Sequence, residues 1–234
     1  MKWSMEHRTV APEWLDQLPP MNPGALESRR DLRLLNWWMG NARTIRTALA
    51  DLGRPNPHLR LADLGAGDGT FFLRLARSLG RQWPGAEVFL VDQRPSVSTQ
   101  TRVAFVRMGW AVEIVAADVF DWLPRQAALD LLISNLFLHH FDAGALESLL
   151  RLIARSSRSL VACEPRRCAS ALAVGSMLGL LGCNAVTRHD APISVRAGFR
   201  AGELSAAWPV PQWKLREGRA GPFTHLFVAR KESR

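Results

Sequence analysis

Tyrosine is absent from this 234-residue chain, so no tyrosine can serve as its base. Cysteine is scarce. Cys163, Cys168 and Cys183 are an odd number without zinc-type C-x-x-C spacing, which assigns no metal and no disulfide and fits a reduced intracellular protein. Met1 to Arg8 contains no apolar h-region, so export is not indicated and a cytoplasmic location is expected. Positive charge is plentiful but not concentrated. The formal net charge is +9, and counterion release would reward a basic face that meets phosphates. The arginines are instead scattered along the chain, with no Lys/Arg run interleaved with aromatics, and read as solvated surface. Nucleic acid is not the favoured partner, whereas an acidic carrier protein remains compatible with the charge. The hydrophobic fraction of 47% and charged fraction of 22% are ordinary for a globular protein, and the length suits one α/β core with an N-terminal extension.

Against these absences stands Leu61-Ala-Asp-Leu-Gly-Ala-Gly-Asp-Gly-Thr70, with alternating glycines where a strand should turn into a helix. Without a Cβ, Gly65, Gly67 and Gly69 permit a sharp turn and close approach of a ligand to the backbone. The dinucleotide fingerprint G-x-G-x-x-G fails, because Thr70 or Phe72 stands where its last glycine is required. A Walker A loop fails as well, since there is no Gly-Lys-Ser/Thr. Asp63, just before the turn, would repel a pyrophosphate but suits a ligand carrying an amine and a sulfonium, which points to S-adenosylmethionine. The segment Asp63 to Gly69 resembles motif I of the class I S-adenosylmethionine-dependent methyltransferases, and later segments resemble their other motifs in order, from about Arg30 to the end.

The periodicity predicts two regions, an arm and lid helix over 1–55 and a cofactor-binding domain over 56–234. Met1 to Pro23 reads as an arm with at most a short helix around Glu13 to Leu18. A long helix is expected from Ala25 to Leu52, ended by Gly53-Arg-Pro-Asn-Pro57. Strands are expected at Leu59–Leu64, Glu87–Val91, Val112–Ala116, Leu129–Ser134, Leu160–Cys163, Gln212–Glu217 and Phe223–Arg230, with helices at Gly69–Leu79, Ser96–Met108 and Ala143–Ala154. This order gives an α/β fold: a Rossmann-like, seven-stranded, mostly parallel sheet with helices on both faces and a C-terminal antiparallel hairpin, as in the resembled family. Cys168 to Val186 is uncharged and close to a membrane span in length, yet rich in small residues; it reads as a buried helix, or as one side of an apolar pocket, that helps enclose an apolar substrate, and no integral membrane protein is expected.

In such a sheet ligands lie beyond the carboxyl ends of the strands, at the topological switch point. Those ends offer Asp63 with Gly65, Ala66 and Gly67; Asp92 with Gln93; and Asp118 with Val119. A carboxylate at one strand end also serves as a helix cap. The resemblance implies that Asp92 accepts from the ribose hydroxyls, that Asp118 faces the adenine amino group beside Val119, and that Ser134 and Asn135 lie along the methionine part. Leu138-His139-His140-Phe141 resembles the L-H-H-[FL] segment of small-molecule and quinone methyltransferases. Leu136 and Phe137 stand where amino-directed nucleic-acid methyltransferases carry two prolines.

For acid/base work the candidates are His189 oriented by Asp190, in an expected loop Thr187–Pro192, and His140. His139, Arg166 and Trp38 are candidate substrate contacts, with Arg167 an alternative to Arg166. The N-terminal helix around Asn36-Trp37-Trp38 reads as a cofactor lid or as the face of a homodimer. The expected function is S-adenosylmethionine-dependent methylation, favouring oxygen, of a hydrophobic phenolic or polyketide-type small molecule. An RNA or protein methyltransferase using the basic surface is the alternative, and a non-catalytic scaffold is the third reading.

Overall fold

The computed structural model describes residues 5–51, 59–80 and 82–232. Seven strands form one sheet in the order β3-β2-β1-β4-β5-β7-β6: β1 (Arg60–Leu64), β2 (Glu87–Asp92), β3 (Ala111–Ala116), β4 (Leu131–Asn135), β5 (Ser159–Pro165), β6 (Trp213–Arg219) and β7 (Thr224–Lys231). The first five are parallel, and β7 runs antiparallel to both β5 and β6. This is the fold of the class I methyltransferases. Strand order reverses between β1 and β4, so a crevice opens at their carboxyl ends, where Leu64 lies beside Val91 and Ser134.

Side-chain alternation divides the core between the two faces of the sheet. Ala62, Leu64, Phe89, Val91, Leu132 and Ala162 pack with Leu146, Leu149, Leu150 and Ile153 of α7 (Ala143–Ser156) and with Leu204 of α10 (Glu203–Ala207). On the opposite face Leu61, Val88, Leu90 and Ile133 pack against α3 (Asn41–Ala50), α4 (Thr70–Leu79) and α5 (Thr99–Arg107). Phe72, Leu75, Ala76 and Leu79 supply the three-and-four spacing that buries one stripe of α4. Each such fully buried Leu or Phe contributes roughly 1.5–3 kcal/mol over an exposed one. A short helix α6 (Val119–Trp122) follows β3.

The N-terminal residues are strapped across the carboxyl edge of the sheet. Arg167 is buried, donates to the carbonyls of Met5, Glu6 and Gly198, and pairs with Glu203. The Arg8 guanidinium lies 4.2 Å from the centre of the Phe199 ring and donates to the carbonyls of Ala197, His139 and Phe141. Next come α1 (Trp14–Gln17) and α2 (Pro23–Met39), the latter capped by Asn22, whose Oδ1 accepts from Gly24 and Ala25. Two more helices, α8 (Ala169–Ser176) and α9 (Ala185–Ala197), close the same edge.

Three sequence expectations are corrected. The helix expected over Ala25–Leu52 is two helices, because Gly40 adopts φ +69° and ends α2 before α3 begins. Its expected terminator at 53–57 and the 55/56 domain boundary lie outside the described residues. The uncharged stretch Cys168–Val186 is not one buried helix. It is α8, a 3-10 turn Leu178–Leu181 and the start of α9, with Met177, Leu180 and Leu181 exposed. Gly182, at φ +78°, breaks it. Thr187–Pro192 is not a loop but the middle of α9, which starts where Asn184 accepts from Thr187 N–H and accommodates Pro192 internally. Among the described residues no helix is long and apolar enough to cross a membrane.

Candidate active site

The glycine turn folds back on β2. Gly65 and Ala66 N–H both donate to Val91 O, at 2.9 and 3.0 Å, and Gly67 N–H donates to Asp92 Oδ2 at 2.8 Å. Gly65, Gly67 and Gly69 all have positive φ. At Gly65 a Cβ would lie 2.4 Å from the Phe137 ring, so this backbone is approached directly by the segment after β4. Leu136 reaches that approach through a left-handed φ of +55°. Asp63 is 3% exposed at the floor, and burial, with the Asp92 charge adding to it, pushes its carboxyl well above the usual range. A cation placed there would relieve that cost.

From this floor a cavity of about 480 Å³ extends beneath α2 to α8 and α9. Apolar walls come from Leu32, Leu35, Met39, Val174, Leu178 and Val195. Helix α2 is held over it at several points. Arg33 pairs with Asp68 of the turn at 2.6 Å, and Asn36 accepts from Asn135 Nδ2 at 2.9 Å. Asn135 Oδ1 in turn accepts from Asn41, which accepts from Thr224. Asp31 accepts from Asn184 N–H, fixing α2 to α9.

The other end of the cavity is polar. Glu164 at the end of β5 is fully buried and accepts from Phe137, Leu138 and His139 N–H and from His139 Nδ1 at 2.8 Å. Burial alone would raise its pKa, but His139 and the backbone N–H groups hold it below the ordinary carboxylate value. His139 is thereby oriented with Nε2 facing Glu13, 3.5 Å away. His140 has its Nδ1 on Phe137 O at 3.0 Å and its Nε2 3.5 Å from Glu13 and 3.6 Å from Asp16. Burial opposes the charged imidazole, yet Glu13 and Asp16 raise His140 to about 9. Glu13, despite burial, is pulled well below its ordinary value by the same two histidines. Ser194 donates to Glu13 Oε1 and fixes it.

The sequence-predicted residues are distributed unevenly about this cavity. Asp63, Gly65, Ala66, Gly67, Asp92, Gln93, Val119, Asn135, His139, His140 and Trp38 line it. Asp118 caps α6 by accepting from Phe120 N–H, with its other oxygen held by Gln93 Nε2, and Ser134 is buried against Glu164; neither is among the lining residues. Arg166 donates to Pro222 O, and Arg167 is the strap described above. His189 does not line the cavity; its ring stacks on Trp14 at 3.7 Å and its Nδ1 meets Asp190. Asp190 also accepts from Trp14 and Leu15 N–H, so the pair docks α1. Glu164 was missed although it is a carboxylate at a strand end, the same signal that marked Asp63 and Asp92. Glu13 carries no such signal, because its partners lie more than 120 residues away.

Comparisons with known proteins agree with this architecture. Residues 61–159 match the family described as a methyltransferase domain. The trans-aconitate 2-methyltransferase of Mycobacterium tuberculosis (strain ATCC 25177 / H37Ra) is 34% identical over 80 residues, which are 34% of this chain and 26% of that protein. The matched stretch thus spans about a quarter of that relative's length. Among solved structures, the plantazolicin methyltransferase BpumL in complex with SAH superposes with a TM-score of 0.63 at 12% identity, covering 91% of this chain and 92% of that one. Magnesium protoporphyrin IX methyltransferase from Synechocystis PCC 6803 with bound SAM gives 0.56 at 14% identity over 88% and 84%. An O-methyltransferase family protein from Burkholderia thailandensis gives 0.57 at 16% identity over 92% and 64%. Residues 61–159 are thus similar to a methyltransferase domain, and the sheet in which they lie has the fold of the class I S-adenosylmethionine-dependent methyltransferases.

Proposed function

We propose that this chain is an S-adenosylmethionine-dependent methyltransferase that methylates a hydroxyl of a hydrophobic, phenolic or polyketide-type small molecule. The observation that carries the proposal is one cavity that reaches both the glycine turn and an apolar chamber ending in Glu13, His139 and His140. When bound, S-adenosylmethionine supplies an electrophilic methyl group on a sulfonium. Asp63 would meet its cationic part, Gly65 to Gly67 and Asn135 would lie along it, and Asp92, Gln93 and Val119 would receive the nucleoside. Asp118 would act through Gln93, whose amide it holds. The polar end would meet the acceptor hydroxyl and favour its deprotonated form, while α2 excludes water. His189 and Asp190, rather than being the base, would position Glu13 by docking α1.

The test is methyl transfer to a panel of phenols and hydroxylated polyketide-like aromatics, with S-adenosylhomocysteine as a competitive inhibitor. His140→Gln should lower kcat by about 10²–10⁴-fold with cofactor affinity kept. Normal turnover in that variant would refute the placement of the acceptor. His189→Ala should act more mildly, by loosening α1. A requirement for RNA or a protein substrate, lost with added salt, would support the alternative reading of the basic surface.

Asp63 gives an independent prediction. Its raised pKa means that the free protein holds a proton there at pH values where an ordinary carboxylate is ionised. An ammonium or sulfonium beside it favours the ionised form, so binding releases the proton and affinity rises as pH climbs through the raised pKa. Calorimetry in two buffers of different ionisation enthalpy should show release of up to one proton per site. Asp63→Asn should bind more weakly and show no such release; equal release in both proteins would show that it comes from elsewhere.

A further inference from the structure

The polar end of the cavity brings two histidine rings and two carboxylates together within a few ångströms. Glu164 is buried and both its oxygens accept from the backbone N–H groups of Phe137, Leu138 and His139, so His139 Nδ1 carries the proton of their 2.8 Å hydrogen bond. The carbonyl of Phe137 likewise fixes the proton of His140 on Nδ1. Both Nε2 atoms therefore turn toward Glu13, where they donate to its carboxylate when protonated and offer lone pairs to a cation when neutral. The separations are 3.5 Å for each histidine to Glu13 and 3.6 Å for His140 to Asp16. These are too long for strong charge-assisted hydrogen bonds, which close to about 2.7–2.9 Å. They match something else. Metal–nitrogen and metal–oxygen bonds of about 2.0–2.2 Å put neighbouring tetrahedral donors roughly 3.3–3.5 Å apart.

We infer that Glu13, Asp16, His139 and His140 form a binding site for a first-row divalent cation, with Zn²⁺ its representative occupant. The donor atoms of Glu13, His139 and His140 all lie within 4.8 Å of one another. Three of the four ligands are oriented from behind as metal ligands are: His139 by the Glu164 carboxylate, His140 by a backbone carbonyl and Glu13 by the Ser194 hydroxyl. Imidazole nitrogens mixed with carboxylates suit Zn²⁺, Fe²⁺ or Mn²⁺ better than the all-oxygen sets taken by Ca²⁺ and Mg²⁺. The charge balance agrees, with three carboxylates around two imidazoles. Because Glu13, Asp16, His139 and His140 also line the cavity, a ligand could reach the ion by replacing the exposed Asp16 carboxylate or as a fifth donor. There it would lower the pKa of an acceptor hydroxyl, the proton leaving to water. That use rests on the methyl-transfer reading, whereas the site itself does not.

The experiment strips the full chain with a chelator and returns Zn²⁺ in competition with a chromophoric chelator, then repeats the titration with Co²⁺ and records the visible spectrum. Expected is one equivalent per chain, with a tetrahedral Co²⁺ spectrum lacking the intense thiolate charge-transfer band that cysteine ligation would give. Glu13→Gln should weaken binding at least 100-fold, and Glu164→Gln about 10–100-fold through loss of orientation. Glu13→Gln risks loosening the arm, so Asp16→Asn, at a side chain 56% exposed, is the folding-neutral variant and should weaken binding about 10-fold. Absence of a stoichiometric site in the wild type overturns the inference. So does equal binding by the wild type, Glu13→Gln and Asp16→Asn, which would mean an adventitious ion only. S-adenosylmethionine affinity is measured on the stripped protein in parallel, so that loss of cofactor binding is read separately from loss of the metal site.

Discussion

Gly65→Ala is expected to lower S-adenosylmethionine affinity at least 100-fold, while Gly67→Ala lowers it only about 10-fold. Both residues hold positive φ, +73° and +54°, and any L side chain there costs about 1–2 kcal/mol. That cost alone is roughly a tenfold change in an equilibrium constant, and at Gly67 it is the whole cost, since a Cβ would meet nothing within 4 Å. At Gly65 the new Cβ would lie 2.4, 2.7 and 2.9 Å from three atoms of Phe137. Phe137 cannot swing aside freely. Its N–H is held by Glu164, its neighbour Leu136 is already in a left-handed conformation, and its ring packs edge-on against Phe141 at 5.1 Å. The turn must therefore move instead, and with it the N–H of Gly67 that Asp92 holds. Calorimetric titration of the two variants decides the matter; equal losses at Gly65 and Gly67 would show that the Phe137 contact has no role.

How much of this was legible in the sequence depends on the range of the interactions involved. The strands, the glycine turn and the acids Asp63 and Asp92 could be read because each depends on a local pattern: a strand's apolar run, an alternating set of glycines, a charge at a strand end. The break at Gly40 was equally local, but the three-and-four spacing of apolar residues continues across it and masks it. Helix α9 was hidden by Pro192, which argues against a helix interior, although Asn184 announced its start. The polar end of the cavity was only half visible. His139 and His140 stood out as a pair, but Glu13 joins them from the arm, and no periodicity relates residue 13 to residue 139. His189 and Asp190 illustrate the opposite error. Their adjacency is legible and their hydrogen bond exists, yet tertiary packing turns the pair toward α1 and not into the cavity.

Arg167→Ala is expected to lower the melting temperature by about 6–20 °C and to impair methyl transfer well below the new midpoint. The Arg167 side chain is fully buried and its guanidinium serves Met5 O, Glu6 O, Gly198 O and the Glu203 carboxylate together. Truncation takes this donor from the three carbonyls and leaves the Glu203 carboxylate with the N–H of Arg200 but without its cation, and breaking a buried pair in this way costs about 3–5 kcal/mol. In a chain of this size each kcal/mol shifts the midpoint by about 2–4 °C. Arg167→Lys should recover part of the loss, because an ammonium brings charge but not the planar fork that reaches several acceptors. The pair also carries a pH signature. Burial opposes ionisation of Glu203, but Arg167 and the N–H of Arg200 pull its pKa below the ordinary carboxylate value. Its stabilisation is therefore present above the unfolded-state pKa and is lost as pH falls through the depressed one. Melting curves at descending pH should converge for wild type and Arg167→Ala in acid. The functional arm of the prediction follows from connectivity, since residues 5 and 6 anchor the strap that leads to Glu13. Loosening it should raise KM for the acceptor and lower kcat while leaving cofactor affinity near that of the wild type, because the backbone of the glycine turn is held by Val91 and Asp92 of β2 and not by the strap. A midpoint within about 2 °C of wild type, or a parallel loss of cofactor binding, would show that the strap does not hold the polar end in place.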